Sequence, residues 1–163
     1  MEFIKLMDKI LFPGSFDPIT IGHEDIIRQA TGLASKVYIG VAIDNNKKSY
    51  FSIEQKVLLI NLLKDTFSNI EVIEYDGLTV ELASKLKISH TVRGLRSELD
   101  FTVEKDLLDM NRIIKPEVNT IFLQPSSSIR GVSSSLVRQL IDLNKDFSPF
   151  VSKKIFSQIK QWL

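Results

Sequence analysis

Ile10-Leu11-Phe12-Pro13-Gly14-Ser15-Phe16-Asp17-Pro18-Ile19-Thr20-Ile21-Gly22-His23 decides how the chain is read. An apolar run gives way to a Gly/Pro turn, and apolar residues at helical spacing follow from His23 to Leu33. Strand, turn and helix are the natural assignment. Asp17 ahead of Pro18 is a common turn starter, and the turn exposes the Ser15 hydroxyl with its local amides. A helix opening on Gly22 and His23 presents unpaired backbone N–H groups, the positive end of its macrodipole and an imidazole. Such a start suits an anion, and a phosphate in particular.

Working outward, the same alternation repeats. Ile10 to Phe12, Val37 to Ile43, Ile70 to Tyr75, Ser89 to Val92 and Thr120 to Leu123 are short, β-branched or aromatic, and bounded by Gly, Asp, Asn or Pro. Between them His23 to Leu33, Ile53 to Phe67, Val80 to Leu86 and Asp100 to Ile114 carry the three-and-four spacing of helices. Ser52 followed by Gln55 forms a capping box, and Pro116 stands just past the helix ending near Ile114. A Ser-rich loop, Gln124 to Ser135, feeds a further helix through Leu143, and Ser152 to Leu163 reads as a closing amphipathic helix. Strictly alternating elements with continuous apolar strands predict a doubly wound α/β domain: a five-stranded parallel sheet with helices on both faces. No repeat or linker breaks the chain, so residues 1–163 are expected to form one domain. Ligands of such sheets bind beyond the carboxyl ends of the strands.

Composition narrows the possibilities. With 163 residues, 44% hydrophobic, 25% charged and a net charge of +1, the chain has the balance of an ordinary globular protein. A global polyanion surface is not expected, and no nucleic-acid partner is expected either. Zero cysteines exclude disulfides, thiol nucleophiles and Cys-ligated zinc. The first nine residues are broken by charge, unlike a signal peptide, and no apolar run reaches the roughly 20 residues of a membrane span. A cytoplasmic location with no membrane partner is the expectation.

Four further segments carry chemistry. Arg93-Gly94-Leu95-Arg96 closes a strand with two guanidinium groups, suited to bidentate capture of phosphate oxygens. Asp100-Phe101, Glu104 and Met110-Asn111-Arg112 follow on the next helix. Asn46-Lys47-Lys48 lies before Phe51-Ser52, and Val132-Ser133-Ser134-Ser135-Leu136-Val137 opens the last third.

Thr20-Ile21-Gly22-His23 resembles the T/HxGH motif of the nucleotidyltransferase superfamily. With the Arg-Gly-Leu-Arg, Asn-Lys-Lys and Ser-Ser-Ser segments in order, the chain from about Ile10 to its end is similar to the bacterial phosphopantetheine adenylyltransferases. The resemblance implies transfer of the adenylyl group of ATP to 4′-phosphopantetheine, giving dephospho-coenzyme A and pyrophosphate in the penultimate step of coenzyme A synthesis. It implies His23 as the transition-state donor, with Ser15, Phe16, Gly94, Leu95, Arg96, Glu104 and the segment Ile129, Arg130, Gly131, Val132, Ser133, Ser134, Ser135 on the ATP side. Ser15, Lys47, Thr79 and Arg93 fall on the acceptor side. No protein metal site is implied; Mg2+ is expected to be held mainly by ATP phosphates and water. A homohexamer is implied as well.

Departures from the family pattern are local. Ser15 stands for a common Thr, Val103 for a frequent Tyr, and Ile129-Arg130-Gly131-Val132 for Trp-Ser-Phe-Ile. Adenylyl transfer to nicotinate mononucleotide, cytidylyl transfer to a small alcohol phosphate, and a silent nucleotide-binding module are the competing readings.

Overall fold

The structure is a computed structural model, and it describes residues 7–43 and 48–163. Five strands, β1 (Met7–Gly14), β2 (Ala34–Ala42), β3 (Ile70–Tyr75), β4 (His90–Gly94) and β5 (Asn119–Leu123), form one sheet in the order β3-β2-β1-β4-β5. Every pairing is parallel. The strand order reverses beside β1, so the switch point lies between the carboxyl ends of β1 and β4, at Gly14 and Gly94. Among the described residues six helices connect and close the sheet: α1 (Ile21–Leu33), α2 (Ile53–Asn61), α3 (Thr79–Lys85), α4 (Glu98–Ile114), α5 (Ser134–Asp142) and α6 (Lys153–Trp162).

Period-two alternation sorts the strand side chains into two unequal layers. Ile10, Phe12, Val37, Ile39 and Val41 face the larger core with Ile26, Ile27, Leu59, Ile60, Val137, Ile141, Ile155 and Ile159. Leu11 turns the other way and joins Val80, Ala83, Ile88 and Val118 in a small cluster packed by α3. That second face is thinly covered, since α4 buries none of its residues and leaves Leu99, Val103 and Ile113 at 80%, 70% and 84% exposure.

Several expected helices differ in extent: α4 opens at Glu98, two residues ahead of Asp100, because Ser97 is its N-cap, and α3 runs one residue earlier at each end than Val80 to Leu86. The helix expected over Ile53 to Phe67 keeps α geometry to Asn61 and then tightens into a 3-10 turn, Leu62–Asp65, which satisfies terminal carbonyls through shorter bonds. The first helix starts at Ile21 rather than at Gly22, because Thr20 already serves as its N-cap. The Ser52 and Gln55 capping box is present in full. In the serine loop, Ser127–Ile129 forms a 3-10 turn that periodicity did not signal.

Candidate active site

β1 delivers its last residues into a turn shaped by Phe16. The Phe16 backbone has φ 45°, in the left-handed region, a conformation costing about 1–2 kcal/mol for a residue with a side chain. Burial of the ring offsets it: Phe16 is 1% exposed and meets Phe12 and His23 edge-on at 5.3 and 5.2 Å between centroids. Its ring lies over Gly14, where a Cβ would come within 3.0 Å of it. Glycine at 14 is thus what lets Phe16 fold back against the imidazole.

His23 is fixed by the cap of its own helix. The Thr20 backbone N–H donates to His23 Nδ1 at 3.1 Å, with Thr20 Oγ1 at 3.0 Å from the same nitrogen. This is the reciprocal half of a capping box, with histidine in the place of Glu or Gln. A nitrogen that accepts an N–H carries no proton, so the neutral ring bears its hydrogen on Nε2 and is a donor there. Burial, and secondarily the Arg96 charge, lowers the His23 pKa from 6.5 to about 4. At neutral pH the side chain is an uncharged donor.

A stability consequence follows from the sign of that shift. Between pH 6.5 and 4 the unfolded chain protonates His23 while the folded chain does not, so its contribution is present above pH 6.5 and lost on acidification. The full span is worth at most about 3 kcal/mol at ~1.4 kcal/mol per pKa unit. Denaturant midpoints of the wild type and His23→Gln, measured from pH 7 to pH 4, should show the wild type losing ground steadily against the variant. A pH-independent difference would contradict a buried neutral imidazole.

Around His23 the switch point opens into a cleft of about 470 Å³. Its walls include Ser15, Phe16, Gly22 and His23 from the first turn, Arg93, Gly94, Arg96 and Glu104 from β4 and α4, and Val132, Ser133, Ser134 and Ser135 before and within α5. A Cβ on Gly22 would sit in van der Waals contact with Thr20 Oγ1 at 3.5 Å and the Val132 carbonyl at 3.6 Å. A smaller pocket of about 130 Å³ adjoins, lined by Thr79, Leu107, Leu108, Met110 and Asn111 among others, and shares Pro13, Arg93 and Glu104 with the cleft. Thr79 Oγ1 lies 2.8 Å from the Tyr75 hydroxyl.

At this junction Arg93 donates to both Glu104 oxygens, Nε at 2.8 Å and Nη2 at 2.6 Å, and Nη1 reaches the Pro13 carbonyl at 3.4 Å. Residues assigned from sequence to opposite substrates are therefore one ion pair. Arg96 pairs with Asp100 at 3.4 Å. The three serines serve the framework in part: Ser133 Oγ caps α5 through the Leu136 N–H, Ser134 Oγ donates to the Pro18 carbonyl at 2.7 Å, and Ser135 Oγ accepts from Arg138.

Other sequence-assigned residues lie elsewhere. The Leu95 N–H donates to the Leu123 carbonyl, and Leu95 is not on the cleft wall. Ile129, Arg130 and Gly131 stand outside the lining, with Arg130 and Gly131 exposed, although the Ile129 and Val132 carbonyls approach Gly22. Lys47 is outside the described residues. Among the described residues no cluster of three His, Asp or Glu could hold a metal.

Arg138 was missed. It lines the cleft, donating to the Asp17 carbonyl at 2.6 Å and to Ser135 Oγ at 3.1 Å. Both acceptors are neutral, and among the described residues no carboxylate lies within ion-pair distance of it. Helical spacing from Ser135, three residues earlier, was the available signal.

Fold and site together define a nucleotidyltransferase: the cytidylyltransferase-like family model matches residues 11–140. A solved nicotinic acid mononucleotide adenylyltransferase of Plasmodium falciparum in complex with NaAD superposes with a TM-score of 0.72 over 96% of each chain, at 15% identity, a likeness of fold. The phosphopantetheine adenylyltransferase of Nitrosomonas eutropha is 39% identical over 95% of this chain and 94% of its own. That of Methylacidiphilum infernorum is 40% identical over 95% and 91%. The chain belongs to the phosphopantetheine adenylyltransferase family.

Proposed function

We propose that the chain transfers the adenylyl group of ATP to 4′-phosphopantetheine, releasing pyrophosphate and giving 3′-dephospho-coenzyme A. The single observation that carries the mechanism is the neutral, cap-locked His23 with Nε2–H as donor at the switch point. One phosphate oxygen of the acceptor bonds to the α-phosphorus of ATP, and the bond from that phosphorus to the bridging β-oxygen breaks. The acceptor is a phosphate monoester with a second pKa near 6, so it is largely deprotonated at pH 7 and needs no general base. Catalysis then rests on alignment and on donors aimed at growing charge. His23 donates to the α-phosphate, Arg93 lies where acceptor and nucleotide meet, and Arg96, Arg138 and the start of α5 serve the triphosphate. The adjoining pocket, with Thr79, Leu107, Leu108 and Met110, takes the pantetheine arm. Lys47 completes the acceptor side.

Magnesium enters with the nucleotide. It would be held mainly by the nucleotide's phosphates and water; both carboxylate oxygens of Asp17 already accept backbone amides. By family resemblance we place the reaction in the cytoplasm; no helix among the described residues is long and apolar enough to cross a membrane.

An acceptor panel followed by pyrophosphate release tests the substrate: phosphopantetheine should exceed nicotinate mononucleotide by orders of magnitude in kcat/KM, and the reverse order would overturn the assignment. We also infer a homo-oligomer, a hexamer by family resemblance, because α4 leaves Leu99 and Ile113 exposed and outside the cleft. Sedimentation should give about six times the 18.5 kDa chain mass, and a monomer at micromolar concentration would refute it.

A further inference from the structure

Asp17 does more than begin a turn. Its side chain is 8% exposed, and its two oxygens accept the backbone N–H groups of Tyr50 at 2.8 Å and Phe51 at 2.9 Å. Its own carbonyl accepts from Arg138, and the next carbonyl, on Pro18, accepts from Ser134. Two residues therefore join three segments: the turn after β1, the start of α5, and Ser49–Phe51. A second buried charge serves the same short segment, since Lys56, 2% exposed, donates to Ser49 Oγ at 3.2 Å. The Tyr50 hydroxyl adds a bond to Asp142 at the end of α5. Burying two charges is costly, and both are spent on fixing three residues of loop.

We propose that Asp17 is a positioning residue for adenylyl transfer, holding Ser49–Phe51 and the α5 wall of the cleft to a single turn. It does not line the cleft, so it acts through the residues it holds. The role rests on the adenylyl-transfer reading, because misplacement of reacting phosphates by about 1 Å can cost a hundredfold in rate. Asp17→Asn keeps the size of the side chain but turns one acceptor into a donor that faces a backbone N–H, forcing the segment away.

Trp162, the one tryptophan of the chain, packs on Phe51 at 5.8 Å between ring centroids and reports where that segment lies. The test uses the full chain. In the wild type the Tyr50 and Phe51 amides should exchange slowly with deuterium; exchange at the rate of an open loop overturns the proposal even if every variant fails to fold. In folded Asp17→Asn their protection should fall at least tenfold, Trp162 emission should shift, and kcat should fall at least tenfold. Unchanged kcat, or a loss of kcat with unchanged Trp162 emission and amide protection, would overturn it. A wild type inactive toward phosphopantetheine would refute the assigned reaction, while the exchange and emission arms would still judge the clamp.

Discussion

His23→Ala should lower kcat by a factor of about 10²–10³, the usual cost of one donor aimed at developing charge, while the KM for ATP changes by no more than about threefold. The two effects separate because the imidazole Nε2–H is matched to charge that grows on the α-phosphate during transfer, whereas ground-state binding is shared with Arg96, Arg138 and the backbone at the cleft. Loss of the side chain also frees the Thr20 N–H; Thr20 is buried, but the space left by the imidazole opens on the cleft, from which water can reach it. Folding should survive. The pH profile gives an independent reading: kcat/KM reports groups of the free enzyme and free substrates, and a His23 that is already neutral should give no fall in rate as the pH rises from 6 to 8, where deprotonation of the acceptor phosphate can only raise it. Such a fall, or unchanged turnover in His23→Ala, would mean that the imidazole is not the neutral donor described.

Arg93→Ala carries the second large effect. The substitution removes a cation from the junction of two anion sites and strands the Glu104 carboxylate, whose side chain is 14% exposed. A neutral pair becomes a net negative charge between two incoming phosphates. At the effective dielectric of a half-buried site, a unit charge several ångströms away is worth about 2–4 kcal/mol. We expect kcat/KM for phosphopantetheine to fall by roughly 10²–10³ from lost attraction and new repulsion together. Adding Glu104→Gln should return at least about tenfold, because it removes the repulsion without restoring the cation. Steady-state kinetics of both single variants and the double variant decide this, and a double variant no faster than Arg93→Ala would show that the pair is not electrostatically coupled to substrate.

Much of the fold was legible because its signals are local. The five strands are short β-branched runs, and their parallel direction, though not their order in the sheet, follows from strict alternation with helices. Helix ends were less legible: nothing in Leu62-Leu63-Lys64-Asp65 breaks helical spacing, and the shift to 3-10 geometry depends on how the turn meets Phe67 and β3. Within the site, Gly22, His23, Arg93 and Arg96 were found through motif spacing, and the structure brings them to one cleft. The Arg93 to Glu104 pair was not foreseen, since eleven residues and a change from strand to helix separate them. The roles of Thr20 and Arg138 escaped for another reason. Thr20 stands in the motif without an assigned bond, and Arg138 falls at a polar position of an amphipathic helix, where nothing local marks it. Asp17 was read as a turn former; its long-range bonds to Tyr50 and Phe51 join positions more than thirty residues apart, which no local pattern encodes.

Purified protein incubated with MgATP and 4′-phosphopantetheine tests the central claim most directly, with both products counted. Dephospho-coenzyme A and pyrophosphate should appear one for one, and only when both substrates are present. Pyrophosphate released from ATP alone, or no dephospho-coenzyme A from a folded, ATP-binding chain, would contradict it.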